Sequence, residues 1–211
     1  MLFRSTHYYM EYLYKYPQSA FPYQKLYTEN KKRSRFEPEY EILDTGIFQN
    51  DRYFDVQVTY AKENSDDIFI RINITNRYHE SAPLTLLPTL WFANKWSQGR
   101  QQYKPSIEYV HDGCVCANHK RLGEYYFYFL EAEEIWFTEN ETNTSRLQNQ
   151  EEVFSFSKDA FHFPLIHKTN REDLTTKKTG TKCAPLYQFT IQPGETKTIY
   201  LRLTQGQKSD P

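Results

Sequence analysis

RYFDVQVTY (Arg52–Tyr60) and IFIRINIT (Ile68–Thr75), separated by the polar AKENSDD, decide the fold. In the first run Phe54, Val56, Val58 and Tyr60 share one side of an extended chain. Tyr53, Asp55, Gln57 and Thr59 share the other. In the second, Ile68, Ile70, Ile72 and Ile74 alternate with Phe69, Arg71, Asn73 and Thr75. Side chains that change face at every residue belong to strands, whereas a helix needs a period near 3.6. The two runs therefore predict an antiparallel pair with one buried and one wet face.

The same pattern extends outward. LTLLPTLWF (Leu84–Phe92) predicts a strand interrupted or bent at Pro88, which has no N–H for a ladder. EYYFYFLEA (Glu124–Ala132) is apolar on both faces, as a strand covered on both sides would be, and EEIWFTEN (Glu133–Asn140) follows it. PLYQFTIQPGETKTIYLRLT (Pro185–Thr204) predicts a hairpin with Tyr187, Phe189, Ile191, Ile199, Leu201 and Leu203 inward and a turn at Pro193-Gly194. One helix is expected, in PYQKLYTENKKRSR from Pro22. The polar stretches Asn140–Glu152 and Thr169–Lys182 read as long loops. The fold class is all-β: a large antiparallel β-sandwich of supersandwich type with one short helix near the N-terminus. It is expected as a single domain over 1–211, with a strand in 1–20, the helix in 21–36, the sandwich core over 40–204 and a tail at 205–211.

A chain of 211 residues can bury a substantial core. The mean hydropathy of −0.82 understates that core, because 18 Tyr and 15 Phe carry much of the apolar area. With 26 basic and 27 acidic residues, no global field attracts nucleic acid or a membrane surface. No apolar run approaches a membrane span, and Tyr, Glu and Lys interrupt the N-terminal stretch where a signal sequence would be apolar. Three cysteines are too few for a disulfide scaffold, so a cytoplasmic, reducing setting is expected.

Several stretches together resemble a known family: YLYKYPQSAFPY, ENKKRSRFEPEYEILDTGIFQNDRYFDVQVTYAK, DIFIRINITNR, LLPTLWFANKWS, WFTENETN and KTGTKCAPLYQFTI. In this order, from about Tyr8 to Thr204, they resemble the N-terminal β-sandwich region of bacterial proteins of glycoside hydrolase family 63, related to mannosyl-oligosaccharide glucosidase. The resemblance implies inverting hydrolysis of α-glucosidic bonds in the intact proteins, by acids on a helical barrel that follows the sandwich. No such helical segment is read here, so the chain is expected to be the sandwich alone and inactive by itself. Its expected partner is that barrel, in cis or in trans, with a gluco-oligosaccharide as a further candidate.

The candidate residues each carry two readings. Asp44, Asp51, Arg52 and Asp55 lie in an aromatic-rich stretch, and paired carboxyls could do glycosidic chemistry. Acids in such places more commonly hold turn amides or pair with arginine, and for Asp55 the partner would be Arg52 or Arg71. Trp91 and Trp96 with Asn94 could form a sugar platform, an indole stacking on a pyranose while an amide grips hydroxyls. They could equally fill the core or a domain junction. Glu139, Asn140 and Asn143, with Glu141, fall on a loop that either reaches a cleft rim or caps its own turns. His111, Cys114, Cys116 and His119 resemble a metal cluster, but a single spacer between the cysteines fits a zinc site poorly. No metal or cofactor is expected. The basic run NKKRSR (Asn30–Arg35) is flanked by glutamates and reads as a solvated or docking segment rather than a nucleic-acid site.

Overall fold

The computed structural model describes residues 8–97, 99, 102–147, 155–168 and 171–209. Its strands are β1 (Tyr9–Pro17), β2 (Tyr53–Asn64), β3 (Asp67–Asn76), β4 (Ala82–Leu86), β5 (Leu90–Trp91) and β6 (Ser106–His111). They continue with β7 (Cys114–His119), β8 (Gly123–Phe129), β9 (Glu134–Thr138), β10 (Thr179–Gly180), β11 (Lys182–Ile191) and β12 (Thr196–Gln205). Helices α1 (Tyr23–Lys32), α2 (Thr144–Leu147) and α3 (Arg171–Thr176) are short. One sheet has the hydrogen-bonding order β1-β2-β3-β12-β8-β7-β6-β10, and in a second β11 pairs with β4, β5 and β9. The chain is thus all-β, of the antiparallel sandwich class, as the alternation predicts. Pro88 separates β4 from β5, where a break was expected. The two expected loops are more ordered than their polarity implied, since α2, α3 and β10 lie within them.

Contacts group the chain into two compact units. The first draws on Met1–Tyr60, Ile70–Leu84 and Phe189–Ile199, the second on Ala61–Phe69, Thr85–Gln188 and Tyr200–Pro211.

In the first unit Phe54, Val58, Ile72, Ile74, Leu84, Ile191 and Ile199 are buried, whereas Val56, Tyr60, Ile70 and Phe189, also expected inward, are half-buried. The other side of β2 departs from expectation. Asp55 is only 8% exposed, not on a wet face. Lys15 Nζ (3.0 Å) and Arg77 Nε (2.6 Å) hold its carboxylate, so its partners are neither Arg52 nor Arg71. Burial alone pushes this carboxyl's pKa up, but the two cations outweigh it and keep it below the ordinary value. Sequence alternation reports which residues are apolar; it does not report that β1 brings a lysine over the polar side. Asp44 does hold a turn amide, accepting from the Glu41 N–H at 2.8 Å. Asp51, in left-handed backbone (φ 54°), accepts from the Tyr53 hydroxyl at 3.3 Å. Arg52 lies over the Tyr78 ring, 5.4 Å from its centroid.

The end of β3 carries the most constrained polar group of this unit. The Asn76 side chain is fully buried. Its Oδ1 accepts from Gln18 Nε2 (2.7 Å) and the Tyr78 N–H (3.0 Å). Its Nδ2 donates to the carbonyls of Glu80 (2.8 Å) and Ile191 (2.9 Å). Both donors and both acceptor sites of the amide are therefore used.

In the second unit β7 and β8 pair antiparallel from Cys114 opposite Tyr128 to His119 opposite Gly123. Phe127, Phe129, Val115, Ile107 and Leu201 are buried there. Burial of β8 increases along the strand: Glu124 is exposed, Tyr125 and Tyr126 are half-buried, and both faces are covered only from Phe127. A further core joins Trp136, Ala160, Phe161, Leu174, Ala184 and Leu186. At Gly180 any Cβ would collide with the Thr138 carbonyl, so β10 approaches β9 at a distance open only to glycine.

Replacing Asn76 by Ala strands two carbonyls, an N–H and the Gln18 amide without partners. A loss of about 2–4 kcal/mol is expected, read as a lower urea midpoint with an unchanged slope.

Candidate functional site

The residues singled out between Leu86 and Ser97 do not form one platform. Trp91, at the end of β5, is 57% exposed and borders a hollow of about 210 Å³ together with Phe92, His119, Leu122 and Tyr125. Phe92 and His119 stack with centroids 5.6 Å apart, and Tyr103 meets His119 edge-on at 6.2 Å. His119 Nδ1 accepts from the Arg121 N–H at 3.2 Å, which leaves the ring proton on Nε2. Asn94 is occupied elsewhere: its Oδ1 accepts from the Ser97 N–H (3.2 Å) and Oγ (2.9 Å), an Asx turn. Trp96 sends its indole N–H to Glu141 Oε1 at 2.7 Å.

That contact leads into a charged network after β9. Lys104 Nζ lies 3.0 Å from Glu141 and 3.2 Å from Glu139, and Lys177 Nζ lies 3.2 Å from Glu139. The Thr181 hydroxyl donates to Glu139 Oε2 (2.9 Å) while accepting the Asn140 N–H (2.8 Å). Asn140 Nδ2 donates to the Phe92 carbonyl (2.9 Å), and the Phe92 N–H donates to the Thr181 carbonyl (3.0 Å). Asn143 makes a long contact to Asp159, at 3.5 Å. Of the sequence candidates, Trp96, Glu139, Asn140 and Glu141 therefore come together with Lys104, Lys177 and Thr181. Trp91, Asn94 and Asn143 have other partners.

The Trp96 N–H is the largest influence on Glu141, and with Lys104 it overcomes burial to hold the carboxyl below its ordinary value. Burial pulls the Lys104 ammonium down, yet Glu141 and Glu139 leave it raised. A general acid must carry a proton at working pH. Glu141 is held ionised instead, and the network acts as a brace between the Phe92 and Thr138–Asn140 segments. Lys104 and Lys177 were not legible as partners, because solitary lysines in polar stretches carry no pattern. Thr181 lies in the KTGTKC stretch, whose likeness was noted without a role for the residue.

The cysteine-histidine stretch disperses. Cys114 is buried, its thiol pushed up to about 11 by burial, and it behaves as a small apolar side chain. His111 Nδ1 contacts the Asp112 carbonyl at 2.9 Å. Among the described residues no group of three His, Cys, Asp or Glu side chains is placed to hold a metal ion. The basic run is tied locally, Lys32 to Glu29 (2.8 Å) and Arg33 over the Tyr40 ring. No helix among the described residues is long and apolar enough to cross a membrane.

No family model matches the chain. The chain is similar to a Saccharomyces cerevisiae protein described as "Uncharacterized protein YMR196W", with 33% identity over 242 aligned positions. The alignment takes in 97% of this chain and 22% of the yeast protein, so the chain spans about a fifth of that relative's length.

A carboxyl whose pKa is lowered on folding adds stability above its unfolded value and loses it as pH falls through the folded value. Trp96→Phe removes the main cause of that lowering at Glu141. The urea midpoint of the variant is expected below that of the parent at pH 7, with the gap closing as pH falls below about 4.

Proposed function

We propose that this chain is the non-catalytic β-sandwich portion of a glucosidase-like glycoside hydrolase, bracing a helical-barrel catalytic domain in a cytoplasmic setting. The segment from Glu139 to Asn143 lies at the rim of the shared cleft in this reading. The observation that carries it is α1 and the chain behind it. The helix buries none of its residues, and Tyr23, Tyr27, Phe36 (83% exposed) and Leu43 all stand out from the first unit. α1 is tied to its own unit by polar contacts, Asn30 to Tyr40 and Lys25 to Thr45, and a helix that buries no apolar face there, with exposed apolar groups, suits a contact surface. The motif resemblance supplies the barrel as the body that covers them. The yeast relative supports the same view, because most of its length lies outside the matching region. Asp55, held below its ordinary value by Arg77 and Lys15, and Glu141, held below its own by the Trp96 N–H and Lys104, suit support rather than proton transfer.

A second reading, an independent carbohydrate-binding module, is favoured by one feature: the exposed Trp91 indole beside its apolar hollow.

One set of measurements separates the two. The purified chain is expected to leave aryl α-glucosides unhydrolysed. Co-expressed with the yeast relative lacking its matching region, it is expected to co-purify with it, and Tyr27→Glu with Phe36→Glu should abolish that association. Enzyme-like turnover by the chain alone, or no association, overturns the bracing role. A saturable tryptophan fluorescence change with millimolar gluco-oligosaccharide, lost in Trp91→Ala, would establish the binding module instead.

A further inference from the structure

Strand β1 reads Tyr9-Met10-Glu11-Tyr12-Leu13-Tyr14-Lys15-Tyr16-Pro17. Among the described residues it stands at one end of its sheet, hydrogen-bonded to β2 on one side. Eight of its nine residues are exposed, among them Tyr9, Met10, Tyr12, Leu13, Tyr14 and Tyr16. An outer strand with a free row of N–H and C=O groups is a template for another strand, and proteins usually blunt it with charge, proline or a bulge. Here the only proline closes the strand at Pro17, and the two charges are of opposite sign.

The order of those residues determines what fits. Antiparallel pairing of β1 with a second β1, centred on Leu13, sets Glu11 opposite Lys15 and Lys15 opposite Glu11. The same register sets Tyr12 against Tyr14, Met10 against Tyr16, and Leu13 against itself. Directly opposed side chains of opposite charge and aromatic pairs both stabilise a ladder. Centring on Tyr12 would oppose Glu11 to Leu13 and Lys15 to Tyr9. Centring on Tyr14 would oppose Lys15 to Leu13 and Glu11 to Pro17. A shift by a single residue would send the tyrosine row to the opposite face of the partner. Only the register on Leu13 matches every charge and continues the Met10-Tyr12-Tyr14-Tyr16 row across the junction. Lys15 can serve a second carboxylate: its ammonium has three donors, one engaged by Asp55 while the group also lies 4.0 Å from the Tyr53 ring centroid. Glu11 accepts from Tyr9 (2.8 Å) and Thr59 (3.3 Å), which aim its carboxylate along the same face as Lys15.

We propose that two copies of this chain form a two-fold dimer through the outer edges of their β1 strands, in the register centred on Leu13. The contact is isologous and closes on itself, so it yields dimers and not open-ended assemblies. It uses residues distinct from those of α1 and stands independently of the bracing role.

Light scattering coupled to gel filtration, over loadings of about 1–100 µM, reads the association directly. A concentration-dependent dimer is expected. Leu13→Cys, in a Cys116→Ser background, is expected to cross-link into a covalent dimer under mild oxidation, because residue 13 meets its own copy. Glu11→Cys should not cross-link, since its copy lies four residues away along the ladder. Glu11→Lys places two lysines in opposition at both symmetric sites and should weaken the dimer at least about tenfold, with Glu11→Gln intermediate. Circular dichroism and thermal melts of each variant confirm that it is folded. A monomer at every loading, a ladder of larger species, or equal cross-linking from positions 11 and 13 overturns the proposal.

Discussion

A buried amide fixes how the strands of the first unit end. Asn76 is surrounded by backbone that would otherwise have no partners: the carbonyls of Glu80 and Ile191 and the N–H of Tyr78. Its own N–H and C=O are engaged as well, with Glu195 and Gly194 of the turn that carries the chain from β11 in one sheet to β12 in the other. A polar group removed from water costs far more unpaired than it gains when paired. One side chain thus ties the exit of β3, the start of the next segment and the β11–β12 turn into a single permitted geometry. An apolar residue of the same size would fill the space and leave the turns free to slip.

The same rule runs through the buried charges. Asp67, nearly fully buried, meets the Arg202 guanidinium at 2.7 Å and 3.0 Å. Asp55 has Lys15 and Arg77. A buried ion pair contributes little net stability, because desolvation offsets attraction, but removing one partner is costly. These pairs therefore act as registration marks more than as sources of stability. The half-buried site after β9 is built in a similar way: Glu139 and Glu141 share Lys104, and Thr181 and Asn140 join the Phe92 and Thr181 segments beside them.

Fold class was legible because it rests on period and composition. The Ile72-Ile74 end of the β3 row is buried and the Pro193-Gly194 turn stands where it was expected, but the strands it joins do not pair as the predicted hairpin: β11 belongs to one sheet and β12 to the other. Partnerships were less legible. Asp55 was assigned to solvent because alternation treats polarity as exposure, whereas its burial depends on Lys15, forty residues earlier. Trp91, Asn94 and Trp96 read as one cluster because they are close in sequence. Pairing of Trp91 with Lys182 in β11 and the Asn94–Ser97 contact separate them, sending one indole to a hollow and the other to Glu141. Asn76 drew no notice at all, because a single Asn at a strand end looks like any turn residue until the carbonyls around it are known.

The aromatic load unites these features. Tyrosine carries a large apolar face and a hydroxyl that water or a carboxylate can satisfy, so a strand or helix rich in it tolerates exposure that leucine or isoleucine would not. The exposed large apolar residues of β1 and α1 are mostly tyrosines, while the buried apolar residues of β3 and β12 are Ile72, Ile74, Ile199 and Leu201. Aromatic rings also fill the core, since Trp136, Tyr187, Phe54 and Phe137 are among its largest fully buried side chains. Low mean hydropathy and a closed core are then compatible, because tyrosine counts as polar on that scale while its ring is buried or packed along a strand.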